Sequence, residues 1–148
     1  MKQAILLAII LVLAGCSQPS PEQLTGSATD VLMYKNPNCG CCVGHKAALE
    51  TQGYSVEVKL QENVDQIKQA HNIPREMQSC HTIVAENYFI EGHVPLEAIE
   101  RLFEEQPDID GIALPGMPSG TPGMPGPKRG PYVIYALKDG EYFEWMRI

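Results

Sequence analysis

Cys39-Gly40-Cys41-Cys42 places three thiols within four positions, the densest chemistry in a chain of 148 residues. Cys39 and Cys42 form a C-x-x-C pair. At a strand-to-helix junction such a pair reads as a dithiol redox couple, because the helix N-terminus favours the thiolate and lowers the first thiol's pKa. Cys41 is one thiol more than that couple needs. Soft thiolates packed this closely select a thiophilic metal, so Cu(I), including a multinuclear copper-thiolate cluster, fits better than magnesium or calcium. Zinc fits less well, since the second spaced ligand pair of a zinc ribbon is missing.

Other soft donors lie further along the chain. Cys80 is followed directly by His81. An isolated Cys in a strand is often a buried small hydrophobe, so the role of Cys80 depends on what the fold brings near it. His45, one turn after Cys41, and His93, in Glu91-Gly92-His93-Val94-Pro95, offer imidazoles, which suit copper. His71 reads as a solvated residue at a helix C-terminus. Met117 and Met124 carry thioethers in Gly116-Met117-Pro118 and Gly123-Met124-Pro125, either as copper ligands or docking residues or as packing over the thiol site.

These residues need elements to position them. Val31 to Lys35 reads as a strand stopped by Asn36-Pro37-Asn38, and a helix follows from Cys42 to Gln52, with Val43, Ala47 and Ala48 at helical spacing and Gly53 as its stop. Tyr54 to Leu60 alternates as a second strand, and Val64, Ile67 and either Ala70 or His71 mark a second helix before Pro74. Thr82 to Ala85 and Tyr88 to Ile90 flank Glu86-Asn87 as a tight hairpin. Leu96, Ile99, Leu102 and Phe103 describe an amphipathic helix begun by Pro95. The order β-α-β-α-β-β-α is that of a thioredoxin-like α/β domain, with Cys39-Gly40-Cys41-Cys42 between the first strand and first helix. In such a sheet the segment entering the third strand runs beside that helix N-terminus, so Cys80 and His81 are predicted to face the thiols. Six Gly and six Pro between Gly111 and Pro131 read as one biased loop, after which Tyr132 to Leu137 and Glu141 to Met146 form an added C-terminal hairpin around Lys138-Asp139-Gly140.

Composition bounds the function. A hydrophobic fraction of 44% with 20% charged residues is globular, and the length allows one domain of ordinary size. A formal charge of -7, with scattered basic residues, argues against a nucleic-acid partner. Lys2 and the apolar run from Ala4 to Ala14 form an export signal too short to span a bilayer comfortably. Its end, Leu13-Ala14-Gly15-Cys16, resembles the lipobox of bacterial lipoproteins. That resemblance implies a signal peptide over 1–15, lipidation of Cys16, and a polar tether over 16–30 ahead of a domain over 31–148. Membrane contact is then through the lipid anchor alone. Ser17 stands where an Asp typically retains such proteins at the inner membrane, which favours the outer membrane of a Gram-negative cell, facing the periplasm.

Several spaced motifs taken together resemble the CopG-type copper-resistance proteins. They are Tyr34-Lys35, Cys39-Gly40-Cys41-Cys42, Ser79-Cys80-His81-Thr82, Glu91-Gly92-His93-Val94-Pro95, and Gly111 through Leu114-Pro115-Gly116-Met117-Pro118 to Gly123-Met124. The resemblance implies a periplasmic thioredoxin-like protein that binds several copper ions through its cysteines and participates in copper tolerance. Cys39, Cys41, Cys42 and Cys80 match the family's cysteines, and His81, His93, Met117 and Met124 its recurring flanking residues. Gly44-His45 replaces an aromatic that commonly follows the thiols, and Arg75-Glu76-Met77-Gln78 replaces a hydrophobic spacer.

Three readings follow. The first is a periplasmic module that holds Cu(I) on thiolates and stores it or exchanges it with a partner protein, without turnover. The second is a thiol-disulfide or copper oxidoreductase that cycles Cys39 and Cys42, favoured by an oxidising compartment. The third, a structural lipoprotein with two disulfides, leaves the adjacent Cys41 and Cys42 unexplained.

Overall fold

Alternation along the first strand, β1 (Asp30–Lys35), buries Val31, Met33 and Lys35 on one face and leaves Leu32 and Tyr34 partly exposed on the other. This computed structural model describes residues 29–148, so the expected signal peptide, Cys16 and nearly all of the expected tether lie outside the described residues. Asn36 breaks the strand, its side-chain oxygen accepting from the Asn38 N–H at 2.9 Å. The chain then enters helix α1 (Gly40–Thr51), strand β2 (Ser55–Leu60) and helix α2 (Asp65–Ala70). A 3-10 turn over Arg75–Met77 leads into the hairpin of β3 (His81–Ala85) and β4 (Tyr88–Gly92), followed by α3 (Leu96–Glu105). β2 and β1 pair in parallel, and β3 and β4 add in antiparallel fashion, giving the predicted thioredoxin-like half of the sheet.

One strand was not predicted. Gly111–Leu114, read from its composition as the start of the Gly/Pro loop, is strand β5 and pairs in parallel with β4. The correction has a simple cause: Ile112, Ala113 and Leu114 form an apolar run short enough to hide beside the bias that follows, yet all are buried. Strands β6 (Val133–Lys138) and β7 (Glu141–Arg147) form the expected C-terminal hairpin, and β5 joins it to the rest. The result is one seven-stranded sheet in the order β2-β1-β3-β4-β5-β6-β7.

Strand alternation divides the buried residues between the two sheet faces. Val31, Met33, Ile83, Ile90, Ile112 and Ile134 meet Leu49 of α1 and Ala98, Ile99 and Leu102 of α3 on one side. Each fully buried Val, Ile, Leu or Met among them contributes about 1.5–3 kcal/mol relative to exposure. Phe89, Ala113 and Leu137 meet Ile73 and Met77 on the other. Helix α1 corrects a second expectation. Its buried face is Cys42, His45 and Leu49, while Val43 is 57% exposed and Ala47 is also exposed. Alanine spacing was a poor guide because methyl groups contribute little burial, and the helix instead turns its thiol and imidazole inward.

Candidate metal centre

Helix α1 begins directly at the thiols. Cys39 is its N-cap, with extended backbone, and Cys41 and Cys42 lie in its first turn, where exposed N–H groups favour negative charge. Cys39 and Cys42 are joined as a disulfide, and Cys41 and Cys80 are free. Strand β1 pairs antiparallel with β3, with Lys35 opposite His81, so the residue just before β3 arrives at the helix N-terminus. That residue is Cys80. Its Sγ lies 3.7 Å from Cys42 Sγ, Cys39 Sγ lies 3.5 Å from Cys41 Sγ, and all four sulfurs lie within 4.8 Å of one another.

Three imidazoles complete the site. One ring nitrogen from each of His45, His81 and His93 lies within 4.8 Å of the others, and all three residues are buried. Cys80 links the two sets, with Sγ 3.1 Å from His93 Nε2 and 3.2 Å from His81 Nδ1. His93 Nδ1–H donates to the Pro122 carbonyl at 2.7 Å, which leaves the Nε2 lone pair directed at Cys80. That is the arrangement by which a metal-binding histidine has its tautomer and orientation fixed. His81 Nε2 and His45 Nδ1 share a proton at 2.8 Å, and His45 Nε2 is buried without a hydrogen-bond partner. An orphaned polar atom of this kind costs about 1–3 kcal/mol, which ligation of a metal would offset.

Electrostatics keep these rings neutral. Burial, helped by the neighbouring His93, drives His45 down to about 3; the Val94 backbone opposes the shift but makes no hydrogen bond of good geometry with Nε2. Burial also holds His81 well below its ordinary value, reinforced by His45, His93 and the cations of Lys68 and Lys35. It lowers His93 as well, against the pull of the Pro122 carbonyl. Neutral imidazole is the ligating form. Burial, with Cys41 alongside, pushes the Cys80 thiol up to about 12, so a metal binding there must displace its proton. Once a two-electron reductant opens the Cys39–Cys42 disulfide, four thiols and three neutral imidazoles, with no carboxylate among them, form a soft donor set that fits copper in either of its common ligand preferences.

The Gly/Pro segment after β5 lies against this site as an ordered strap. A Cβ at Gly44 would lie 2.6 Å from Gly123 Cα, and one at Gly123 would lie 2.4 Å from the Cys41 carbonyl oxygen. Only glycines permit this backbone approach, and Gly123 has the left-handed φ of +82° as well. Gly44 is therefore the seat of the strap. Tyr132 donates its hydroxyl to the Ser119 carbonyl, and Ser119 donates to that of Pro127, closing the strap on itself. Met124 is half-buried next to Gly123, whereas Met117 is 43% exposed. His71 is not freely solvated but half-buried, its ring 5.5 Å from that of Phe89 and on the sheet face opposite the thiols.

Sequence reasoning missed the polar layer beneath Cys80. Lys68 of α2 and Glu91 of β4 form a buried ion pair, joined by the Thr82 hydroxyl. The available signal was Glu91 itself, a charged residue in an otherwise apolar strand two positions before His93.

Comparison with known proteins agrees with this geometry. The family described as "Protein of unknown function, DUF411" matches residues 77–124, which include Cys80, His81, His93, Met117 and Met124. A search of curated proteins gives no match. Two solved structures, of "Copper resistance protein copG" in forms 1 and 2, each superpose with a TM-score of 0.75 at 33% sequence identity, over 82% of this chain and 98% of theirs. At that identity and coverage, the chain belongs to the CopG copper resistance protein family.

Proposed function

We propose that this protein binds several Cu(I) ions on one donor set, Cys39, Cys41, Cys42 and Cys80 together with His45, His81 and His93, and serves copper tolerance by storing the metal or passing it to a periplasmic partner. The observation that carries this reading is Cys80, whose sulfur lies within 4.8 Å of the three sulfurs of Cys39, Cys41 and Cys42 and 3.1–3.2 Å from two imidazoles. Copper is the preferred metal because the solved relatives are named for copper resistance and because thiolate with neutral imidazole is a soft set. Met117 and Met124, on the strap, serve as further ligands or as transient docking residues. The expected place of action is the periplasm, with residues 1–15 removed, Cys16 lipidated and residues 16–30 tethering the domain to the outer membrane. Changing Cys16 to Ala should release the protein or block its processing; a variant that stayed membrane-bound at unchanged mature mass would exclude the anchor.

Purifying the protein anaerobically from its own periplasm and measuring its metals tests the main reading. More than one copper per chain is expected; zinc in its place, or no metal under copper load, would contradict it. The Cys39–Cys42 disulfide favours a second reading, an oxidoreductase in which that pair cycles between disulfide and dithiol. The two readings part at Cys41. A Cys41→Ser protein should keep the redox cycle if the pair is the function, and should lose copper if the thiols act together.

A further inference from the structure

On the sheet face opposite the sulfurs lies a closed set of polar contacts that no donor role explains. Lys68 and Glu91 are 2% and 0% exposed and form an ion pair. Glu91 Oε1 also accepts from the Ser79 backbone N–H at 2.5 Å, and Glu91 Oε2 accepts from the Thr82 hydroxyl at 2.6 Å. Thr82 in turn accepts from Lys68 Nζ at 3.1 Å. The two residues held by the carboxylate, Ser79 and Thr82, bracket Cys80 and His81. Gly92, next to Glu91, has φ +79°, and a Cβ there would lie 2.7 Å from Ser79 Cβ, so β4 and the Ser79 segment touch with no side chain between them. A buried ion pair adds little net stability over a packed apolar pair, so stability does not account for the arrangement.

We propose that Glu91, neutralised by Lys68, is a positioning residue that clamps the Ser79–Thr82 segment and thereby fixes Cys80 between the other thiols and His81 and His93. The clamp rests on the copper reading for its purpose, but not for its geometry. Ser79 lies outside any strand, and the only side-chain bond to its backbone among the described residues is the one from Glu91. Without that acceptor, the segment keeps only the Gln78 hydrogen bonds to the Arg75 and Ile73 carbonyls, the close approach of Gly92 and the Cys80 side chain's own contacts, and no hydrogen bond at Ser79 itself.

Two double variants separate clamp from charge. Lys68→Met with Glu91→Leu removes the charges and both acceptors, whereas Lys68→Met with Glu91→Gln removes the charges and keeps a carbonyl for Ser79 or Thr82. Native-state alkylation by iodoacetamide, read by peptide mass mapping on metal-free protein, compares Cys80 with Cys41, and anaerobic Cu(I) titration against a competing chelator follows. The Leu pair should alkylate several-fold faster at Cys80 alone and lose on the order of 10–100-fold in Cu(I) affinity, the size usual for partners that orient metal ligands. The Gln pair should stay near wild type in both. A folded Leu pair with the wild-type Cys80 rate, or with Cys41 accelerated equally, would overturn the proposal. Should the Leu pair not fold, Thr82→Val removes one of the two held groups and must still show a Cys80-selective increase; no selective change overturns the clamp. Wild-type protein that takes up no Cu(I) would instead refute the copper reading, with alkylation still deciding the clamp.

Discussion

Cys80 shows what a single residue's chemistry owes to the fold. Alone it is a thiol before a strand, and its neighbours in sequence do not require it to be near Cys42. The thioredoxin-like order predicts that approach, and the β1–β3 register delivers it. The imidazoles were less legible. His93 follows a Gly on a connecting segment and would ordinarily be a surface or capping residue, yet it is fully buried, because the strap supplies the Pro122 carbonyl for its Nδ1–H. No periodicity encodes that contact. His93 and His71 therefore make an informative pair: both are histidines at element ends, on opposite faces of the sheet. His93→Ala should weaken Cu(I) binding by about tenfold or more, whereas His71→Ala should leave it unchanged, as measured by chelator competition on reduced protein. Equal effects of the two substitutions would deny the imidazoles a role in the site.

Among the elements, the strap and β5 were hardest to read, for one physical reason. Between Gly111 and Pro131 the composition signals irregular backbone, and that signal outweighed the brief apolar run that becomes β5. Nor does the composition distinguish a free loop from one whose glycines serve close approach. Gly44 and Gly123 are of the second kind, with α1 and the strap meeting backbone to backbone. Gly123→Ala would force a Cβ against the Cys41 carbonyl and strain a left-handed backbone, so a loss of about 1–3 kcal/mol is expected from overpacking alone. Urea denaturation would measure it. Gly130→Ala is the control, since a Cβ there meets nothing within 4 Å. Equal stability of the two variants would show that the strap does not press on α1. The hairpins and α3, by contrast, were plain in the sequence, because alternation and the Leu96, Ile99, Leu102, Phe103 spacing report burial directly.

For the molecule as a whole, burying three neutral imidazoles ties stability to pH. Each folded-state pKa lies below the unfolded value near 6.5, so above that pH neither state is charged and the rings exert no pull. As pH falls below it, the unfolded chain takes up protons that the fold refuses, and metal-free protein loses stability by roughly 1.4 kcal/mol per pH unit for each ring until its folded pKa is reached. For His45 that window runs down to about 3. Urea midpoints should therefore drop between neutral pH and pH 5; a flat profile would contradict buried neutral rings. Fold and function meet in the claim that sulfurs from two separate parts of the chain act as one site. Anaerobic Cu(I) titration of the fully reduced wild type and of Cys80→Ser tests it most directly. The account predicts that losing Cys80 lowers both the number of copper ions bound and their affinity. Unchanged stoichiometry and affinity would reduce the site to the three thiols of Cys39-Gly40-Cys41-Cys42 and contradict it.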